Sequence, residues 1–249
     1  MPPSTRKQDG PLLAAPLGHD CTVAFVPPDS AWPPIQAVRY LVEDKGLWRW
    51  PPHANLLYPF VAPRRFREAA PILLEALSAV APFTVTLNEL RVFVHKRSAT
   101  LWLHPDDASG GHRWQQLSSA LQAAMPQCDA QTANHGGTFT AHVTVGHFES
   151  EEAATEARAR ILDSGVWPAD GVSFCVREVT IMAREGVEGQ FEPRWKLPLG
   201  LDGAELAQAA AALEPISRDT RFAGMPLECP DFCRRQPKRK GGRRRSQRP

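Results

Sequence analysis

Polar and apolar positions alternate in two short stretches, and the rest of the chain supplies elements around them. Read as a strand, 139–148 puts Ala141, Val143 and Val145 on one face and Thr140, His142 and Thr144 on the other. In 52–60, His53 and Asn55 share one face, while Ala54, Leu56 and Tyr58 share the opposite one. Each stretch offers an imidazole with a hydrogen-bonding side chain two positions on. The two histidines are 89 residues apart.

Elsewhere the apolar spacing predicts a strand over 21–26, then a helix over 30–44 capped by Ser30. A helix over 66–80 follows, then a hairpin of strands 83–94 and 99–104 bending at Lys96, Arg97 and Ser98. The remaining elements are a helix over 112–125, a loop over 126–137, a helix over 149–162, strands 172–183 and 191–199, and a helix over 203–213. This order predicts a two-lobed α+β body, with one histidine-bearing strand in each lobe and a cleft between them. The expected divisions are a flexible lead-in over 1–20, the two-lobed domain over 21–200, a C-terminal helix over 201–214 and a disordered basic tail over 215–249.

Composition narrows the class without naming the chemistry. The chain has 249 residues, 43% hydrophobic and 22% charged, as in ordinary soluble proteins. No apolar run approaches the ~18 residues of a membrane span, and the polar start lacks the apolar stretch of a secretory signal. Five scattered cysteines are therefore expected to be reduced thiols in the cytoplasm or nucleus. Nine basic residues and no acidic one lie between Arg234 and Arg248; subtracting them from the net +2 leaves the rest at −7. A mildly acidic body does not grip nucleic acid through a broad basic face, so phosphate recognition there has to be local. Lys238–Lys240 and Arg243–Arg245 suit a solvated extension, a nuclear-targeting signal or a nonspecific RNA tether.

Imidazole is suited to phosphodiester chemistry because both of its protonation states are available near neutrality. One neutral and one protonated histidine on opposite sides of a phosphorus form a complete acid–base pair, with no cofactor or metal required. Asn55 and Thr144 are expected to donate to the non-bridging oxygens, where negative charge gathers. Phe148 is weighed as a base-stacking ring and Arg184 as a phosphate contact. Tyr58 and His147 face the apolar sides of their strands and read as structural, and His95, His104, His112 and His135 as surface or loop residues. Cys229 and Cys233 lack the companions that a zinc site needs.

On the two histidine motifs, together with 22–26, 179–184 and 195–199, the chain resembles the two-histidine phosphoesterase superfamily, the 2′-5′ RNA ligase and RNA 2′,3′-cyclic phosphodiesterase group. That family carries two His-x-Thr/Ser motifs on central strands of two pseudo-symmetric lobes. The resemblance implies the same α+β arrangement here, mainly antiparallel sheet with flanking helices and the active-site cleft between the lobes. His142 and Thr144 match the second motif in full. His53 matches the first, with Asn55 where the family has Thr or Ser. The resemblance implies a monomeric, membrane-free enzyme with His53 and His142 catalytic, acting on RNA with 2′,3′-cyclic phosphate ends and able to ligate 2′-5′ in reverse. Two alternatives stay open: a module that binds such ends without turnover, and a phosphoesterase on a non-RNA cyclic phosphate.

Overall fold

The computed structural model describes residues 11–133 and 136–234. The main elements run β1 (Cys21–Phe25), α1 (Trp32–Leu41), β2 (Ala54–Leu57), α2 (Phe66–Ser78), β3 (Phe83–His95) and β4 (Ser98–Asp106). They continue as α3 (His112–Ala124), β5 (Val143–Phe148), α4 (Glu151–Ser164), β6 (Val172–Val176), β7 (Glu178–Ala183), β8 (Glu192–Pro198) and α5 (Gly203–Ala211). Two four-stranded sheets result, ordered β8-β7-β1-β2 and β5-β4-β3-β6, with every neighbouring pair antiparallel. The expected α+β class and the hairpin across Lys96 and Arg97 are both present.

Local chemistry explains where elements start and break. The helix expected from Ser30 begins later. A 3₁₀ turn over Asp29–Ala31 leads into it, and Pro33 and Pro34 occupy a first turn where a missing N–H costs nothing. The α4 helix opens on Ser150, whose hydroxyl accepts from the Ala153 N–H, and closes at Gly165 with φ of 66°. The single strand expected over 172–183 is two strands in different sheets, parted at Arg177: β6 pairs with β3, and β7 pairs with β1. The chain crosses between lobes there, at the charged pair Arg177 and Glu178 between two apolar runs.

The lobes share one core rather than holding two. Phe25 of the first sheet packs on Phe174 of the second sheet and on Trp114 of α3, with ring centroids 5.6 Å apart in each case. Leu73, Leu74 and Leu77 of α2 are fully buried in the same cluster as Val143 and Val145. The described segments before β1 and after α5 are laid onto this body. Leu12 joins the core, and Leu17–Gly18 pairs with Phe60–Val61. Residues 215–234 contain little regular structure. They are nonetheless tied down where Ile216 N–H donates to Arg194 O, Gln36 Nε2 to Gly224 O and Gln190 Nε2 to Pro226 O. The basic segment from Arg235 onward and His135 lie outside the described residues. No helix among the described residues is long and apolar enough to cross a membrane.

Candidate functional site

His53 and His142 each stand just ahead of an edge strand, β2 in one sheet and β5 in the other. The resemblance places such motifs on central strands. Here no further strand among the described residues pairs with either edge, and both rings line a single cavity of about 360 Å³ together with Asn55 and Thr144. The four expected site residues, drawn from both halves of the chain, therefore meet in one place.

Matching irregularities shape this cavity. In the β1–β2 pairing, Val23 faces Leu57 and Ala24 faces Asn55, so Leu56 is skipped. In the β4–β5 pairing, Leu101 faces Gly146 and Trp102 faces Thr144, so Val145 is skipped. Each skipped residue lies three positions after its histidine. A bulge inverts the alternation beyond it. Tyr58 and His147, expected on the apolar faces, consequently line the cavity. Phe148 is turned the other way and packs against the core rather than standing beside His142 as a stacking ring.

The two imidazoles are anchored alike. Nδ1 of His53 lies 2.8 Å from Pro51 O, and Nδ1 of His142 lies 2.8 Å from Thr140 O. A carbonyl only accepts, so Nδ1 carries the proton in both rings and Nε2 is the reactive nitrogen. Asn55 does not wait in the cavity as a free donor, the role that the strand pattern predicts. Its Nδ2 donates to His53 Nε2 at 3.1 Å, and its Oδ1 accepts from the Thr22 hydroxyl at 2.7 Å. The longer amide spans a gap that a Thr or Ser hydroxyl would leave open. The hydroxyl of Thr144, its counterpart, has no hydrogen-bond partner among the described residues.

Around His53 the wall is aromatic. Trp50 stacks on it at 4.5 Å, and Phe191 stacks on Trp50 at 3.6 Å. Burial in this wall pulls the His53 pKa down to about 3. The positive Arg39 and His142 push the same way, and the Pro51 carbonyl opposes them. Phe93 and Trp102 meet His142 edge-on, at 5.2 and 5.9 Å.

Arg39 and Asp44 carry no catalytic motif, yet both belong to the site. They form a buried ion pair, Nε to Oδ2 at 2.8 Å. Arg39 Nη1 also donates to Trp50 O at 2.9 Å, which fixes the ring that covers His53. Asp44 Oδ1 accepts from Gly46 N–H at 3.0 Å and lies 3.4 Å from His147 Nδ1. Burial would raise the Asp44 carboxyl, but Arg39, His147 and the Gly46 N–H outweigh it and hold the group below the usual carboxylate range. His95 is exposed, as expected, and also lines the cavity, where its Nε2 pairs with Thr100 Oγ1 at 3.1 Å. Arg184 lies outside this cavity, over the far face of Phe191 at 5.7 Å. Among the described residues, no group of three or more His, Cys, Asp or Glu side chains is placed to hold a metal ion.

A mixed helix and antiparallel-sheet fold with paired, identically anchored histidines in one cleft defines the class. Solved structures similar to this chain include Escherichia coli LigT complexed with 3′-AMP, at 20% identity and TM-score 0.49 over 75% of this chain and 100% of that one. TT0787 of Thermus thermophilus matches at 16% identity and TM-score 0.49, over 72% and 97% of the two chains. Kluyveromyces marxianus Usb1 with uridine monophosphate matches at 12% identity and TM-score 0.40, over 73% and 99%. No curated protein matches the chain. A family model described as the 2′-5′ RNA ligase superfamily matches residues 27–188, and the chain belongs to that superfamily, the two-histidine phosphoesterases.

Proposed function

We propose that this protein is a phosphodiesterase acting on RNA ends, opening a terminal 2′,3′-cyclic phosphate with His53 as base and His142 as acid. The observation that carries this reading is the matched anchoring of two imidazoles, each with Nδ1 held on the carbonyl two residues back, in one cavity. His53 stays neutral far below pH 7, so its Nε2 lone pair is available to take a proton from water. The water oxygen bonds to phosphorus, and one ribose oxygen leaves. That oxygen takes its proton from Nε2 of protonated His142. Thr144 donates to a non-bridging oxygen as charge builds there, and the entering phosphate draws the Asn55 amide from His53 Nε2 onto the other non-bridging oxygen. The product is a terminal monophosphate beside a free hydroxyl, and the reverse sequence is ligation.

The test is incubation with a nucleoside 2′,3′-cyclic phosphate in EDTA, alongside His53→Ala and His142→Ala. Turnover that falls about 10²- to 10⁴-fold in each variant supports the assignment. Turnover that survives both substitutions overturns it. The Asn55 amide on His53 Nε2 favours a second reading, a module that binds such ends without turning them over. Tight binding with no product selects that one.

A further inference from the structure

A second cavity, of about 690 Å³, lies on the other side of the Trp50–Phe191 stack and is lined by five arginines. Arg64 comes from the 3₁₀ turn before α2, Arg67 from the first turn of α2, Arg184 from just beyond β7, Arg194 from β8 and Arg218 from the segment after α5. Outside its basic C-terminal run the chain sums to −7, so this concentration runs against the body's overall charge. Among the described residues, Glu185 is the one acid lining the space, and Arg194 is already paired with Glu192 at 2.8 Å. Arg67 and Arg218 are exposed, and their guanidinium groups have no ion pair or hydrogen bond among the described residues. Arg184 Nη1 donates to Gly186 O, but its buried Nε has no partner among the described residues. The positive end of the α2 dipole adds to the field.

Guanidinium forks around a concave space fit phosphate oxygens, which accept two parallel N–H bonds. The position matters as much as the charge. Arg184 sits 5.7 Å from Phe191, Phe191 stacks 3.6 Å from Trp50, and Trp50 stacks 4.5 Å from His53. These steps bound the separation of Arg184 from the His53 ring at about 14 Å. One strand can therefore occupy both cavities at once, its terminal phosphate in the smaller and a phosphate some nucleotides back in the larger. We propose that the arginine-lined cavity binds the phosphodiester backbone of a single-stranded RNA upstream of the end held in the cleft. It makes the protein a reader of oligonucleotides rather than of mononucleotides. This inference rests on the assignment of RNA ends to the cleft.

The experiment is fluorescence anisotropy with labelled oligoribonucleotides of two to eight nucleotides carrying 3′-phosphate ends. It compares the full chain with Arg67→Glu/Arg218→Glu, and melting curves confirm that both are folded. A nucleoside 3′-monophosphate and a polyglutamate peptide serve as competitors. Affinity of the unsubstituted chain should rise with length. The double variant should lose at least about tenfold on the longest oligonucleotide, keep its affinity for the monophosphate, and show a salt slope lower by about 1.4, the value for two single-strand phosphate contacts. Equal oligonucleotide binding by both proteins overturns the proposal. So does an equal loss on the monophosphate, or a polyglutamate peptide that binds through these arginines where the oligonucleotide does not. Binding is read without turnover, so the two assignments fail separately. Arginine-dependent oligonucleotide binding with no hydrolysis removes the cleft's catalytic assignment alone; hydrolysis of the mononucleotide with no length dependence removes this site alone.

Discussion

The proton affinity of His53 has a consequence for stability that can be measured without knowing the substrate. Burial holds its pKa at about 3 in the folded chain, against about 6.5 when unfolded. Between those values the unfolded state binds a proton that the folded state does not. Stability is therefore complete above about pH 6.5 and falls as the pH drops towards 3, by about 1.4 kcal/mol per unit. At about pH 5 the loss amounts to about 2 kcal/mol, a large share of the roughly 5–15 kcal/mol typical of a folded domain. Asp44 does not confuse the comparison, because its carboxyl lies below the usual range and stays ionised at pH 5. Urea unfolding of the unsubstituted chain and of His53→Gln at pH 7 and pH 5 isolates the effect. The buffer must be free of phosphate, since an anion in the cleft would favour protonated His53 and mask the difference. The unsubstituted chain should lose about 2 kcal/mol more than the variant. Equal losses in the two proteins would refute the account of His53 as a ring kept neutral by burial.

Three further outcomes follow from the same geometry. The acid limb of kcat/KM against pH should sit below about pH 4, because the free enzyme's base titrates at about 3; an acid midpoint near 6.5 in a pH–rate profile contradicts this. Asn55→Ala should lower kcat/KM by about 10²-fold, and Thr22→Val/Asn55→Ala should be no worse than Asn55→Ala alone, because Thr22 acts through Asn55. Additive losses in steady-state kinetics would show that the hydroxyl has a separate role. Asp44→Ala leaves Arg39 buried without its carboxylate and should cost about 3–5 kcal/mol, with Arg39→Met/Asp44→Leu recovering much of it in denaturant melts.

How far the site is legible in the sequence depends on which physical signal each part carries. Strand alternation places His53 with Asn55 and His142 with Thr144, and those side chains do share a cavity. Helix periodicity locates α2 and its buried leucines because a one-sided apolar stripe is a long, repeated pattern. Alternation fails where a single skipped residue resets it, and so puts Tyr58 and His147 on the wrong faces. The adjacent apolar pair Leu56 and Leu57 is the available hint, since strict alternation with one polar face forbids it. Arg39 and Asp44 lie at the end of α1 and just beyond it, where charged residues are usually solvated. Only tertiary packing buries them and ties them to Trp50. The break at Arg177 is easily passed over because strand-forming apolar residues, Phe174 and Val176 before it and Val179 and Ile181 after it, flank the charged pair Arg177 and Glu178.

The two half-sites share a backbone frame but not its chemistry, and the difference bears on which histidine does what. Identical Nδ1 anchors and bulges at equivalent positions give His53 and His142 the same placement relative to their strands. In the second half-site the residue two positions on is Thr144, whose hydroxyl has no protein partner among the described residues and is free for a phosphate oxygen. In the first it is Asn55, held by Thr22 and donating to Nε2 of His53. A donor on Nε2 satisfies that nitrogen only while it keeps its lone pair, so Asn55 and burial act in the same direction and disfavour the imidazolium. A ring kept neutral in this way is prepared to accept a proton rather than deliver one. That inequality supports the proposed division of labour, with His53 taking the proton from water and His142 supplying the one for the leaving oxygen.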